Sequence, residues 1–219
     1  MSSKASSFLH RNGLSLVLAG LFIAFLGGQL LAGQHAYNAE RKEAGQSTVA
    51  LATYAHTGHF VSATFENWES EFLQMGMYVL LTVSLRQRGS AESRPLESIR
   101  DRSRIDAGPP PRSARGAGLV GWLYAHSLSI AFFALFLASF GLHLAGSWRD
   151  ALEQRAEQGL PPITWSEHLM GSTFWFESFQ NWQSEFLAVL AIVVLSIFLR
   201  QDGSPESKPV RAPHAQTGT

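Results

Sequence analysis

The chain has no cysteine. That absence removes disulfides, thiolate metal sites, covalently attached c-type haem and cysteine nucleophiles together. Neither sign of charge is in excess: 17 Lys and Arg stand against 17 Asp and Glu, so the formal net charge is zero. No global field therefore recruits nucleic acid, and none is expected as a partner. HExxH, GxSxG and the phosphate-binding glycine loop are also missing, which leaves no complete catalytic signature to follow.

What is present is one phrase stated twice. Phe65–Pro95 reads FENWESEFLQMGMYVLLTVSLRQRGSAESRP and Phe179–Pro209 reads FQNWQSEFLAVLAIVVLSIFLRQDGSPESKP, with 17 identities in 31 ungapped pairs at an offset of 114. The same offset lays Gly27 on Gly141, Arg41 on Arg155 and Gly45 on Gly159. The chain reads as a tandem duplication in which each half is one structural unit.

The apolar residues are gathered into blocks. Leu14–Gly33 carries only Ser15 and Gln29 as clearly polar side chains, and Leu119–Gly146 has no charged residue across 28 positions. Both exceed the roughly 18 to 20 residues that a membrane-crossing helix needs. Phe72–Leu85 and Phe186–Leu199 have 14 residues each, about 21 Å as helix. Each follows a long block and ends on an arginine, Arg86 or Arg200, that can snorkel to the interface. The expectation is an all-α membrane protein with four transmembrane helices, over about 12–33, 68–86, 119–146 and 182–200. They form two tandem hairpins related by a pseudo-two-fold axis along the membrane normal. The repeats cover 1–95 and 119–209, with a disordered Arg/Pro-rich linker at 96–118 and a disordered tail at 210–219.

Residues 1–33 resemble a signal peptide in outline, but the matching block lies mid-chain, so Asn12–Gly33 is read as a retained helix. Past each long block a polar run without proline ends on a glycine, Gly45 or Gly159, which predicts helices that continue to a glycine stop. Thr164-x-x-Glu167 predicts a capping box. Residues 86–115 carry eight arginines against four acids, whereas 34–71 and 147–185 together carry four basic residues against eleven acids. By the positive-inside rule the linker and both termini are cytoplasmic.

Asn-Trp-x-Ser-Glu-Phe-Leu, at Asn67–Leu73 and Asn181–Leu187, is the sharpest motif. On a helix Asn67, Ser70 and Glu71 share one face, as do Asn181, Ser184 and Glu185. Two readings stay open. Intramembrane carboxylates mark ion or proton paths, and Glu71 and Glu185 would then share a proton near the axis. Alternatively the acids meet the positive helix end, Asn and Ser satisfy first-turn amides, and Trp68 and Trp182, with Arg86 and Arg200, anchor depth. The second reading accounts for every retained residue without a substrate. Glu66 and Glu69 become Gln180 and Gln183, so their charge reads as dispensable. His126 and His143 face no second haem ligand, because their counterparts are Asn12 and Gln29. No cofactor and no metal site is expected.

The paired blocks, Ser70-Glu71-Phe72-Leu73 with Leu85-Arg86-Gln87 and Ser184-Glu185-Phe186-Leu187 with Leu199-Arg200-Gln201, resemble a family of small bacterial membrane proteins designated only as a domain of unknown function. The resemblance implies a bacterial integral membrane protein and no activity, cofactor or substrate. The functional expectation is a non-enzymatic scaffold or accessory subunit in the bacterial cytoplasmic membrane, with lipid and a membrane-protein partner or second copy as its contacts. A small proton or cation channel using Glu71 and Glu185 is the alternative.

Overall fold

The computed structural model describes residues 2–96, 108–109, 111–115 and 118–218. Most of the expected linker, residues 97–107, 110 and 116–117, lies outside them. Among the described residues all regular structure is helical: α1 (Ser2–Glu43), α2 (Leu51–Tyr54), α3 (Gly58–Ser84), a short 3-10 turn (Arg112–Arg115), α4 (Leu119–Ala125), α5 (Ser127–Glu157), α6 (Trp165–Leu169) and α7 (Ser172–Phe198).

Three helices, not four, are long and apolar enough to cross a membrane: Phe8–Glu43 of α1, Ser127–Glu157 and Ser172–Phe198. The expected span at 68–86 is the one that fails. Although α3 is 27 residues long, its first half carries Glu66, Glu69 and Glu71, and the more apolar run from Phe72 onward is itself interrupted by Gln74. Its counterpart α7 has just Glu177 and Glu185 and opens on Phe174, Trp175 and Phe176. The block at 119–146 is also divided, at His126. There His126 Nδ1 lies 2.8 Å from Trp122 O and Ser127 Oγ donates to Tyr124 O at 2.8 Å. The backbone of His126 leaves the helical region there, with φ −114° and ψ 7°, although its N–H still donates to Trp122 O at 3.2 Å.

The chain forms two compact units. The first comprises residues 1–63 and 145–162. In it α1 runs on through its polar stretch and stops at Gly45, whose φ of 73° admits the left-handed turn. Gln46 N–H then donates to Arg41 O at 2.7 Å and Gly45 N–H to Lys42 O at 3.0 Å, the paired bonds of a Schellman stop. Gly159 ends α5 in the same way, with Leu160 N–H on Arg155 O at 2.8 Å. Tyr54, 1% exposed, is the centre of this unit. It packs on Tyr37, His59 and Phe60 with centroids 5.4 to 5.9 Å apart and approaches Gly33 where a side chain would block it. α3 and α5 meet backbone to backbone: a Cβ on Gly58 would lie 2.5 Å from Asp150 N, and one on Gly146 2.5 Å from Ser62 N. The first half of α1 stands apart, with Leu14 76% and Phe25 72% exposed.

The second unit comprises residues 64–144 and 163–219. Here the rest of α3 packs with α7 and the first part of α5. Before α7, Thr164 caps α6 through the predicted box, its Oγ1 accepting from Glu167 N and its N–H donating to Glu167 Oε2 at 2.8 Å. Composition gives 210–219 the character of a disordered tail; the structure gives this stretch turns and a bond from Gly218 N–H to Ser90 O at 2.9 Å. Lys208, 1% exposed, gathers the tail by donating to the carbonyls of Gly89, His214 and Gln216.

Candidate functional site

Helical periodicity puts Glu66, Glu69, Ser70 and Gln74 on one side of α3, and Phe174, Ser178, Asn181 and Trp182 on one side of α7. In the second unit these sides enclose charge. Glu69 and His143 of α5 have no exposed side-chain surface, and His143 Nδ1 lies 3.1 Å from Glu69 Oε2. The approach is short without meeting the directional requirement of a hydrogen bond, and it is a pairing of charges only when the imidazole is protonated. The other carboxylate oxygen, Oε1, accepts from Trp182 Nε1 at 3.2 Å. One turn earlier Glu66 Oε1 accepts from Asn181 Nδ2.

Rings close the cluster. Phe174, fully buried, stacks on the His143 imidazole at 4.8 Å and 28°, and Phe140 and His168 meet Phe174 edge-on at 5.6 and 5.7 Å. Burial, then the charge of His143, pushes the His168 imidazole below its ordinary pKa. Among the described residues His143 Nε2 and Ser178 Oγ have no hydrogen-bond partner although both are buried. Such atoms are costly unless they serve a purpose or bind something.

The predicted polar residues divide. Asn181 and Trp182 belong to this cluster. Ser70 and Ser184 instead turn back on their own helices, donating to Asn67 O at 2.7 Å and Asn181 O at 2.8 Å. Asn67 and Glu71 are exposed and Glu185 is half-buried; Glu71 and Glu185 are near enough to repel each other. Trp68 is half-buried with its ring 4.9 Å from Phe65. Arg86 Nη1 donates to the last carbonyls of α3, at Thr82, Val83 and Leu85, and Arg200 Nη1 does the same at Ser196, Ile197 and Leu199.

Farther along α3 each polar residue has an acceptor. Gln74 donates to Glu185 O at 3.2 Å, Tyr78 to Glu92 Oε2 at 2.8 Å and Thr82 to Tyr78 O at 2.9 Å. Tyr78, Arg86 and Glu92 line the polar mouth of a cavity of about 380 Å³ whose walls are Leu81, Val189 and Val193. Burial and the nearby Glu206 hold the Glu92 carboxyl above the usual carboxylate range. Among the described residues no group of three or more His, Asp or Glu could hold a metal ion.

Glu66, Glu69 and His143 were missed by sequence reasoning. The signal was present in the comparison of halves. Glu69 of the first half and His143 of the second have the neutral amides Gln183 and Gln29 as their counterparts, so each is a titrating residue that the other half lacks.

These features define an all-helical protein with three helices suited to a bilayer and a buried acid–base pair beside them. Residues 5–219 match a domain of unknown function, DUF6766, and the chain belongs to that family. No curated protein and no solved structure matches it.

Proposed function

We propose that the protein is a multi-pass integral protein of the bacterial cytoplasmic membrane, built from two copies of one helical unit and serving as a scaffold or accessory subunit rather than an enzyme. The observation that carries this reading is an inverted distribution of side chains. Among the described residues the buried apolar ones are Tyr37, Tyr54, Ala91 and Phe174, whereas twelve polar or charged residues are buried. Leucines and phenylalanines of α1, α5 and α7 point outward. In water such a surface is an aggregation liability; in lipid it is the expected one. Several of the inner polar groups are engaged with backbone carbonyls, as at Ser70, Gln74, Ser93 and Lys208, which suits a rigid support.

The duplication is supported by local geometry. α3 and α7 have 27 residues each and begin at 58 and 172, a difference of 114. Gln87 N–H donates to Ser93 Oγ at 3.0 Å and Gln201 N–H to Ser207 Oγ at 2.9 Å, the same turn built twice. The stripe of Gly20, Gly27 and Gly28 on α1 meets nothing within 4 Å, so a partner helix has room to approach there. Photo-crosslinkers at Leu21 and Phe25 in native membranes test this. A defined adduct with a membrane protein or a second copy is expected, and adducts with lipid alone would refute the scaffold.

The arginine-rich 86–115 and both termini are placed in the cytoplasm. That placement asks α3, not apolar enough to count as a span by itself, to cross with its polar side covered by neighbours. Single cysteines at Ser103 and Gln158, labelled on sealed cells with an impermeant maleimide, decide it: labelling at Ser103 overturns the orientation.

A second reading, a small proton or cation channel using Glu71 and Glu185, is favoured by the electrostatic contact between those two carboxylates. Flux in liposomes that is lost in Glu71→Gln plus Glu185→Gln would support it. No flux in the unaltered protein would end it.

A further inference from the structure

We propose that Glu69 and His143 form a proton-binding site inside the second unit, with His143 Nε2 as the atom that takes the proton. Three observations lead there. The pair is fully enclosed, with Nδ1 of His143 3.1 Å from Glu69 Oε2. The carboxylate is held in place from its other side by Trp182 Nε1 at 3.2 Å, so it cannot swing away from the ring. And Nε2 is buried with no hydrogen-bond partner among the described residues, as are Nδ1 and Glu69 Oε2; Nε2 differs in facing away from the carboxylate that lies 3.1 Å from Nδ1.

The chemistry follows from the two ring nitrogens. A carboxylate facing Nδ1 favours the tautomer with its hydrogen there, which leaves the Nε2 lone pair open. A proton joining Nε2 breaks no bond; it turns the imidazole into imidazolium, and the pair goes from one negative charge to zero. The carboxylate compensates the new charge in surroundings where an isolated one would be expensive. With Phe174 flat against the ring and no exposed surface on either partner, a proton is the ligand for which there is room.

Other titratable groups face the pair from each neighbouring helix. Glu66 lies on α3, one turn from Glu69, with its carboxylate tied to Asn181. Glu177 lies on α7 and His168 on α6, and both belong to the same electrostatic cluster. Two carboxylates beside Glu69 mean that an added positive charge on His143 relieves repulsion.

The two halves of the sequence sharpen the point. At the matching positions the chain carries Gln183 and Gln29, amides that hydrogen-bond but do not titrate. Glu69 comes from the first half and His143 from the second, so each half supplies one titrating member and one amide, and the acid meets the base only between α3 and α5. This goes beyond the scaffold reading and stands whether or not that reading holds.

The test is the titration of His143 in the full chain, reconstituted in lipid nanodiscs with ¹⁵N-labelled histidine. The His143 resonance is assigned by its loss in His143→Gln. As the proton concentration is raised, the resonance is expected to pass from that of neutral imidazole to that of imidazolium. Its midpoint is expected to move by about tenfold or more in proton concentration in Glu69→Gln, and to stay in Glu71→Gln plus Glu185→Gln. A His143 that keeps one protonation state throughout, or a midpoint unmoved in Glu69→Gln, overturns the proposal. If Glu69→Gln does not fold, Trp182→Phe, which keeps both titrating groups, must move the midpoint, and an unmoved one is equally fatal.

Discussion

Trp182 donates its indole N–H to Glu69 Oε1 at 3.2 Å, a bond from α7 to α3 across 113 residues of sequence. With His143 on the opposite oxygen it makes one carboxylate the meeting point of three helices.

Breaking that meeting point from one side leaves an uncompensated buried charge or donor. Glu69→Leu alone is expected to cost about 3–5 kcal/mol of unfolding free energy, and the double variant Glu69→Leu/His143→Leu far less than the sum of the single losses. Unfolding of all three variants in the same lipid gives the coupling. Strictly additive losses would show that the contact does not hold the helices.

The crossing in the first unit has no side chain in it. Gly58→Ala and Gly146→Ala each force a methyl to 2.5 Å from backbone nitrogen, and each is expected to lower stability by about 1–3 kcal/mol, as overpacking does. Gly20→Ala, with nothing within 4 Å, is the control and should be neutral or slightly stabilising. Thermal unfolding separates them.

Glu92 gives the turn after α3 a pH dependence. Its carboxyl is held above 4.5, first by burial and then by Glu206. A raised folded-state pKa means that the stabilisation is complete below the unfolded value and is lost as pH rises through the folded one. Stability should therefore fall from about pH 4 upward through the range where Glu92 ionises. Glu92→Gln, which keeps an acceptor for Tyr78, should flatten that slope. An unchanged slope would assign it elsewhere.

Lys208 binds the tail to Gly89. Lys208→Met leaves the carbonyls of Gly89, His214 and Gln216 without their donor, and bonds to a charged group contribute about 1.5–3 kcal/mol. The expected result is rapid protease cleavage after Leu199 with α7 intact. Equal cleavage rates in the two proteins would mean that the lysine holds nothing.

Local chemistry was legible in the sequence. Gly45 and Gly159 stop their helices with φ of 73° and 67°, and Thr164 and Glu167 form their box, because each motif is complete within a few residues. The apolar length of α1, α5 and α7 was legible for the same reason. The interior was not. Glu69 and His143 are 74 positions apart (143 − 69), and no local rule joins them. Comparing the halves pointed attention to Glu71 and Glu185, which both copies keep, whereas the buried pair takes its acid from the first copy and its base from the second. The break at His126 was hidden because it is a departure of one residue's backbone from helical angles, in a block that hydropathy alone reads as continuous.

Arg86 and Arg200 each clasp the carbonyl end of the helix before them through a single guanidinium nitrogen. In a bilayer the height of that charge is then set by the helix rather than by the reach of a loose side chain. Under the membrane placement proposed above, α7 thereby has a fixed gauge against the headgroup plane, and α3 has one wherever its end reaches that plane. A lysine at either place would carry the same charge, yet its ammonium offers no planar fork, such as the one Arg200 divides between the end of α7 and Ala212 O at 3.1 Å, and the height of the charge would be less firmly set.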